Sequence, residues 1–217
     1  MLGRFISFEG PDGSGKTSVL RRIVPEMRKW TENNVVLTRE PGGSEIAESI
    51  RHIILNPENT EMDSRTEALL YAASRRQHLA ELVLPALTKG DWVITDRYID
   101  SSLVYQGVAR GIGIEEIYEM NQFATEGLMP ELTLYLDVRA EVGLSRIERN
   151  RQADEINRLD KEKLEFHQQV REGYLKVLER FPERIMRIDA EDSIDAVAEN
   201  CLEIIHNHMR KEKETGS

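Results

Sequence analysis

Five short apolar segments, separated by longer helical patterns, constrain the fold of this chain more than any other feature. Each segment has the length of a strand and contains no Gly or Pro. Strands and helices that alternate at these lengths form βαβ units, in which helices cover both faces of a parallel sheet. The predicted strands are 5–8, 35–38, 92–95, 132–136 and 185–188.

Seven helical patterns lie between and after the predicted strands, with no linker that would divide them into two domains. They cover 16–30, 44–55, 65–89, 113–125, 140–149, 161–180 and 194–208. Pro25 and Pro85 lie inside two of these patterns, and we expect a kink or an early end of the helix at each. No linker divides the chain, so we expect one domain over 1–210, followed by a disordered polar tail over 211–217.

The charge balance limits the kinds of partner. The formal net charge is −10, from 29 basic and 39 acidic residues, whereas a general binder of nucleic acid or membrane surfaces needs an excess of Lys and Arg. We therefore expect neither partner.

The single Cys201 cannot form an internal disulfide, and Arg4 and Glu9 interrupt any signal-peptide core. The expected location is the cytoplasm.

Polar motifs follow the predicted strands, at the edge of a parallel sheet where ligands gather. GPDGSGKT follows the first strand, REPGG the second and DRY the third. We therefore expect their side chains to face a common crevice.

The segment 10–17 matches the phosphate-binding pattern GxxxxGK[ST], with a predicted strand before it and a helix after it. Such a loop wraps backbone N–H groups around a phosphate, while the helix directs its positive end inward. Lys16 can then reach the β- and γ-phosphates, and the Thr17 hydroxyl can bind Mg²⁺. The predicted nucleotide-binding residues are Gly10, Pro11, Asp12, Gly13, Ser14, Gly15, Lys16 and Thr17.

Five motifs in order give the chain a family resemblance: GPDGSGKT, TREPGG, YAASRRQH, DRYIDSSLVYQG and RLD. Together they resemble thymidylate kinases of the bacterial type, from Phe5 to the final helix. The resemblance implies a P-loop NTPase fold of class α/β, with a five-stranded parallel sheet and a lid. It also implies Mg²⁺-dependent transfer of the γ-phosphoryl group of ATP to dTMP, forming dTDP for dTTP synthesis, by an enzyme that is typically a homodimer.

The acceptor phosphate is expected to bind arginines. Arg39 and Arg97 suit it because a guanidinium group can bind phosphate through two hydrogen bonds, and Arg51 is expected to assist. Asp96 ends a buried strand, where carboxylates of this fold hold Mg²⁺ or its waters, although an Asp–Arg pair seen alone is often structural. Asp12 resembles the family acid that contacts the sugar 3′-hydroxyl and helps to position Arg97.

The nucleoside is expected to contact two further motifs. Tyr71 and Arg75 lie four residues apart, on one face of a helix, and resemble the residues that stack on the base and donate to thymine O4. Ser102 and Gln106 resemble contacts to the ring edge, and Tyr105 resembles the wall that disfavours a 2′-hydroxyl. For both tyrosines the alternative is packing in the core.

The P-loop offers no arginine for catalysis at positions 11–14. The segment 146–158, RIERNRQADEINR, supplies four arginines where the family has its lid, over about 149–158. We expect Arg149, Arg151 and Arg158 to close over the transferring phosphoryl group, and Arg146 to lie on a solvated helix face. The sequence leaves open which lid arginine contributes most.

Two alternatives share the P-loop. A kinase for another nucleoside monophosphate or for a deoxynucleoside would use the same loop and arginines. A P-loop nucleotide switch would bind ATP or GTP without a pocket for a small acceptor.

Overall fold

The computed structural model describes residues 3–150 and 164–215 of the chain. Within them, five strands form one parallel sheet in the order β2-β3-β1-β4-β5, which confirms the predicted fold class. The strands are β1 Phe5–Glu9, β2 Val35–Arg39, β3 Trp92–Asp96, β4 Leu132–Asp137 and β5 Ile185–Asp189. Each strand extends one residue beyond its predicted end, onto a charged residue.

Helices cover both faces of this sheet. They are α1 Lys16–Met27, α2 Glu45–Leu55, α3 Ser64–His78, α4 Leu84–Thr88, α5 Ile99–Ser102, α6 Ile114–Thr125, α7 Ala140–Asn150, α8 Leu164–Arg180 and α9 Ile194–Thr215. Two π-helical segments, Leu79–Val83 and Leu103–Ala109, join α3 to α4 and continue α5. In the part of the chain that the structure describes, none of these helices is both long and apolar enough to cross a membrane.

Three features of the helices differ from the sequence predictions or refine them. The α1 helix ends two residues after Pro25, and a π-helical turn precedes Pro85 in the long helix that α3 and α4 form. The segment 99–109, for which no helix was predicted, is helical. The α9 helix continues to Thr215 and so includes most of the segment 211–217, for which we expected a disordered tail. Lys and Glu are good helix formers, so a polar composition alone does not end a helix.

Side chains that alternate along the strands build a separate core on each face of the sheet. Phe5 and Val93 lie in the core that contains residues of α3, α4, α6 and α8. Ile6 and Ile94 lie in the core that contains residues of α1 and α9. The sheet is therefore fully covered, as a parallel sheet requires.

The position of β1 determines where a ligand can bind. This strand lies at the centre of the sheet, with β3 and β2 on one side of it and β4 and β5 on the other. The chain therefore changes direction across the sheet at β1, and open α/β sheets bind ligands beyond the carboxyl ends of the strands at such a point. Phe8 pairs in register with Asp96. The loop after β1 and the segment after β3 therefore begin side by side.

Candidate active site

A cleft opens at this edge of the sheet, with about 670 Å³ of empty space that includes the solvent at its mouth. Eight of the nine side chains predicted to bind substrate line it: Asp12, Arg51, Tyr71, Arg75, Arg97, Ser102, Tyr105 and Gln106. The rest of the lining consists of Glu40, Pro41, Leu55, Tyr98 and Ser101. Sequence motifs that are up to about 90 residues apart thus converge on one cavity.

The predicted P-loop connects β1 to α1 in a conformation that depends on glycine. Gly13 has a φ of 77°, and a Cβ on this residue would lie 2.2 Å from the carbonyl oxygen of Gly143 in α7. Lys16 Nζ donates to the carbonyl oxygens of Gly10 and Pro11, over 2.9 and 3.0 Å. Burial, followed by the charge of Arg97, lowers the pKa of Lys16 to about 8. The loop therefore surrounds a buried cation.

Thr17 and Asp96 bring two oxygen atoms together beside this loop. Thr17 Oγ1 donates to Asp96 Oδ2 over 3.2 Å. Mg²⁺ binds oxygen ligands, and in nucleotide sites it keeps several waters and substrate phosphates in its shell. A hydroxyl and a carboxylate next to a phosphate-binding loop therefore fit Mg²⁺.

Arg97 has an unusual backbone conformation for a residue other than glycine, with a φ of 73°. Its backbone N–H donates to the carbonyl oxygen of Phe8 over 2.9 Å. The guanidinium group donates to Asp12 Oδ1 over 2.8 Å and to the carbonyl oxygen of Gly10 over 3.0 Å. These contacts attach the DRY segment to the P-loop.

The charge of Asp12 is set by the same cluster. Burial alone would raise the pKa of Asp12, but Arg97 and Lys16 outweigh it and lower the pKa to about 2. Tyr105 donates its hydroxyl to Asp12 Oδ2 over 3.0 Å. Asp12 is therefore an ionised acceptor that connects the P-loop, Arg97 and Tyr105.

Of the other two arginines predicted for an acceptor phosphate, Arg51 lines the cleft and Arg39 does not. Arg51 Nη1 donates to the carbonyl oxygen of Pro41 over 2.8 Å. The side chain of Arg39 is half exposed and binds both carboxylate oxygens of Glu48, over 2.8 and 3.0 Å. Burial and the charge of Arg39 both lower the pKa of Arg51, so the two cations lie within electrostatic range.

Arg75 lies at the inner end of the cleft with 2% of its surface exposed. Its Nε donates to Glu40 Oε2 over 2.7 Å, and Nη1 donates to Asn121 Oδ1. Its Nη2 donates to the carbonyl oxygen of Tyr98 and to Ser102 Oγ, over 3.2 and 3.1 Å. Among the described residues these bonds use four of its five N–H groups. The fifth, on Nη1, has no partner among the described residues.

The remaining predicted contacts surround this arginine. Gln106 Nε2 donates to the buried carboxylate of Glu67 over 2.8 Å. Tyr105 lines the cleft and also packs edge-on against Tyr174, with ring centroids 6.5 Å apart. Tyr71 also lines the cleft, from α3.

Three buried carboxylates, Glu9, Glu40 and Glu67, were not predicted as parts of the site. Glu9 accepts from the backbone N–H of Tyr98 over 2.7 Å and from Ser101 Oγ over 2.6 Å. Burial and the charge of Asp100 raise the pKa of Glu9 to about 7. A charged residue that directly follows an apolar strand is a signal that could have identified Glu9, whereas Glu67 is one of many acidic residues in a helical pattern.

Beside the cleft, α7 carries part of the predicted lid. Arg146 donates to the carbonyl oxygens of Ala190 and Glu191, over 2.8 and 3.2 Å, so the prediction of a solvated face was wrong for this residue. Arg149 is exposed near the end of α7. Arg151 and Arg158 lie outside the described residues.

Comparisons with known proteins identify relatives of the chain. A sequence model described as thymidylate kinase matches residues 8–201. The thymidylate kinase of Latilactobacillus sakei subsp. sakei (strain 23K) is 56% identical over 205 residues, which cover 94% of this chain and 95% of the relative. The thymidylate kinase of Geobacillus sp. (strain WCH70) is 58% identical over 197 residues, which cover 91% and 93%.

A solved structure extends the likeness to three dimensions. The crystal structure of thymidylate kinase from Ehrlichia chaffeensis superimposes with a TM-score of 0.76 at 30% sequence identity, covering 95% of this chain and 99% of that one. The family match spans most of the chain, and the relatives are matched over nearly their whole length. The chain therefore belongs to the thymidylate kinase family.

Proposed function

We propose that the protein transfers the γ-phosphoryl group of ATP to dTMP and so produces dTDP. The observation that carries the proposal is the cleft beside the P-loop, which combines Arg97 and Arg51 with the inner cluster of Arg75, Ser102 and Gln106. This combination suits a small acceptor that has a phosphate at one end and a hydrogen-bonding base at the other. A nucleotide switch has no need of such a second cleft.

On the donor side, the P-loop holds the phosphates of ATP, and Lys16 neutralises charge that builds on the transferring group. Its contacts with the carbonyl oxygens of Gly10 and Pro11 place this ammonium group inside the loop before ATP arrives. Thr17 and Asp96 would hold Mg²⁺, and the ion would supply positive charge against the negative charge of the phosphates.

On the acceptor side, Arg97 and Arg51 bind the phosphate of dTMP. Phosphoryl transfer needs alignment and charge neutralisation more than covalent chemistry. The bond from Arg97 to Asp12 restricts this arginine to one position beside the P-loop. Arg39, which is bound to Glu48 outside the lining of the cleft, would have to exchange that partner in order to reach the same phosphate.

The base lies at the inner end of the cleft. The one N–H of Arg75 without a bond to the described residues donates to thymine O4, and Tyr71 stacks on the ring. Tyr105 and Asp12 border the sugar, where the hydroxyl of Tyr105 is held by the carboxylate over 3.0 Å. A fixed ring at this position excludes a 2′-hydroxyl.

The arginines of 149–158 close over the transferring group in this proposal. Support comes from α7, whose Gly143 touches the P-loop at Gly13 and whose Arg146 binds the loop after β5. The start of the lid is thereby held next to both the phosphate-binding loop and the last strand. Arg149 follows Arg146 by less than one turn of the same helix.

We further propose a single-domain enzyme over 1–210 that works as a homodimer in the cytoplasm, where ATP is present. Support for the dimer comes from the layer formed by α2, α3 and α6, whose helices contact one another in that order. Large apolar side chains of this layer are exposed: Ile46, Ile53, Leu69 and Phe123. Contiguous exposed apolar residues are typical of protein interfaces.

A panel of acceptors tests the proposed function. ADP release is followed in a coupled assay with ATP, Mg²⁺ and one monophosphate at a time: dTMP, dCMP, dUMP, dGMP, AMP or CMP. We expect the highest kcat/KM with dTMP, and little ADP release without an acceptor. A higher efficiency with another monophosphate, or release that no acceptor stimulates, would contradict the proposal.

A further inference from the structure

We infer that Glu67 determines which base the cleft accepts, because it fixes the orientation of the side-chain amide of Gln106. This inference rests on the proposed function and assigns a specificity role to a residue that does not itself line the cleft. Glu67 would act through Gln106 and is therefore a positioning residue.

The geometry of the pair carries the argument. Glu67 lies in the first turn of α3 and is 1% exposed, and Gln106 is also 1% exposed. Gln106 Nε2 donates to Glu67 Oε1 over 2.8 Å, and Arg110 Nε lies 3.4 Å from the same oxygen. Gln106 lines the cleft, so one buried hydrogen bond connects the cleft lining to a carboxylate behind it.

The chemistry of the two groups permits only one arrangement. Arg110 beside Glu67 favours an ionised carboxylate. An ionised carboxylate accepts hydrogen bonds and cannot donate them, whereas a glutamine amide has a donating and an accepting end. The donating end of Gln106 must therefore face Glu67, since the reverse would place two acceptors together in a buried site. Oε1 and the second N–H of Nε2 are then the groups that Gln106 can offer to a base.

This arrangement matches the imide edge of thymine. Thymine presents N3–H, a donor, between two carbonyl oxygens, so Oε1 can accept from N3–H while the second N–H reaches a carbonyl oxygen. Cytosine presents an unprotonated N3 at the same place, which would face Oε1 as a second acceptor. Glu40 fixes Arg75 in a similar way, by accepting from its Nε over 2.7 Å. Two buried carboxylates thus orient the donor and the acceptor that read the base.

The first experiment replaces Glu67 by a residue of the same shape that does not impose an orientation. In Glu67→Gln, the neutral amide attracts Arg110 less than the carboxylate does, over a contact that is already 3.4 Å long. Either end of the new amide can then face Gln106, so Gln106 can turn over. We expect kcat/KM for dTMP to fall by about tenfold, mostly through KM, because one hydrogen bond of ordinary strength is lost. The ratio of kcat/KM for dTMP to that for dCMP should fall by about fivefold or more.

The second experiment exchanges the two side chains. Gln106→Glu alone places two carboxylates together and should abolish most turnover of dTMP. In Glu67→Gln/Gln106→Glu, the amide at position 67 donates to the carboxylate at position 106, whose other oxygen accepts from N3–H. We expect the exchange to recover at least about tenfold in kcat/KM for dTMP over Gln106→Glu. It should also keep the dTMP-to-dCMP ratio close to that of the wild type.

A matched control comes from a second Gln–Glu pair. Gln77 donates to Glu81 on the exposed surface of the same long helix, and Glu81→Gln should leave both kcat/KM values unchanged. Thermal unfolding and the KM for ATP are measured for every variant. If Glu67→Gln does not fold, Glu67→Gln/Gln106→Glu, which conserves the total charge, still allows the dTMP-to-dCMP ratio of kcat/KM to be measured.

The outcomes separate this inference from the function on which it rests. If the wild type does not phosphorylate dTMP, the proposed function fails. If the wild type phosphorylates dTMP and folded Glu67→Gln keeps the wild-type ratio, the function stands and the inference is overturned. The inference would also be overturned if the folded exchange variant had a much lower ratio of kcat/KM for dTMP to kcat/KM for dCMP than the wild type.

Discussion

Polar and charged side chains at the inner end of the cleft form a connected chain of hydrogen bonds. Thr38 Oγ1 lies 2.7 Å from His78 Nε2, His78 Nδ1 lies 3.0 Å from Glu40 Oε1, and Glu40 Oε2 accepts from Arg75. Arg75 and Glu40 are each only 2% exposed in their side chains. Such a buried pair contributes little net stability but is costly to break from one side. The effect of this pair on the stability of the protein and its effect on base specificity can therefore be separated by mutation.

The first prediction uses this separation. Arg75→Met leaves the Glu40 carboxylate buried without its arginine and should cost about 3 kcal/mol of stability. Adding Glu40→Gln should recover most of that loss, because the uncompensated charge is gone. Both variants should lower the dTMP-to-dCMP ratio of kcat/KM by about tenfold or more, since Arg75 pairs with O4 but cannot pair with an amino group. Thermal unfolding and steady-state kinetics measure the two effects. A folded double variant that keeps the wild-type ratio would show that Arg75 does not read the base.

Residues in recognisable motifs were predictable from the sequence, whereas residues that are distinguished only by burial were not. Lys16, Thr17 and Arg97 occupy motif positions. Arg97 lines the cleft, and Lys16 and Thr17 lie in the P-loop beside it. Glu40 and Glu67 are two of 39 acidic residues, and only tertiary packing distinguishes them from acids on the surface. Arg146 was misjudged for the same reason, because its partners are backbone carbonyl groups about 45 residues further along the chain.

At the scale of elements, the strands were predictable because apolar runs of fixed length have few alternatives in a parallel sheet. The helix of 99–109 was not, because polar cleft residues interrupt its apolar pattern and seven of its residues are π-helical. A π-helical turn places successive side chains at different angles around the helix axis than an α-helical turn does, and it often occurs at a functional site. Here that segment contains both Tyr105 and Gln106.

The second prediction concerns the lid that follows α7. Arg149→Ala and Arg151→Ala should each lower kcat more than they raise the KM for dTMP, because arginines that contact the transferring group act mainly in the transition state. The double variant should lose about 10³-fold in kcat. Arg22→Ala serves as a control, since Arg22 forms an exposed ion pair with Asp195 between α1 and α9. Normal turnover in the double variant would remove these arginines from the proposed mechanism.

The third prediction concerns the layer of α2, α3 and α6. Phe123 in α6 is 90% exposed, and a charge at this position should prevent another copy of the layer from packing against it. We expect the wild type to be a dimer and Phe123→Asp to be a monomer in light scattering after size-exclusion chromatography. Ile194→Asp, at an exposed apolar residue at the start of α9, should remain dimeric. A monomeric wild type, or a dimeric Phe123→Asp, would contradict the proposed interface.

At the scale of the whole molecule, the fourth prediction links the buried site to the pH dependence of stability. The pKa of Glu9 is raised to about 7 from 4.5, so the folded protein holds this proton more tightly than the unfolded chain does. Its contribution is fully present below about pH 4.5 and is lost as the pH rises to about 7. The loss is at most about 3 kcal/mol. The contribution of Asp12 to stability changes with pH in the opposite direction, since the pKa of Asp12 is lowered from 3.8 to about 2. This contribution is present above about pH 4 and is lost as the pH falls to about 2.

Urea unfolding of the wild type and of Glu9→Gln, at intervals between pH 4.5 and pH 8, measures this contribution. The free energy of unfolding of the wild type should fall relative to that of Glu9→Gln across this range, because the amide does not titrate. Parallel curves for the two proteins would mean that Glu9 has an ordinary pKa in the folded state.

The most direct test of the central claim follows the phosphoryl group itself. ATP labelled in its γ-phosphate is incubated with the protein, Mg²⁺ and dTMP, and the labelled products are separated by chromatography. We predict that the label moves into dTDP in equal amount to the ADP formed, that transfer requires dTMP, and that a folded Lys16→Ala variant loses most of it. Label released as inorganic phosphate at a rate that dTMP does not change would contradict the account.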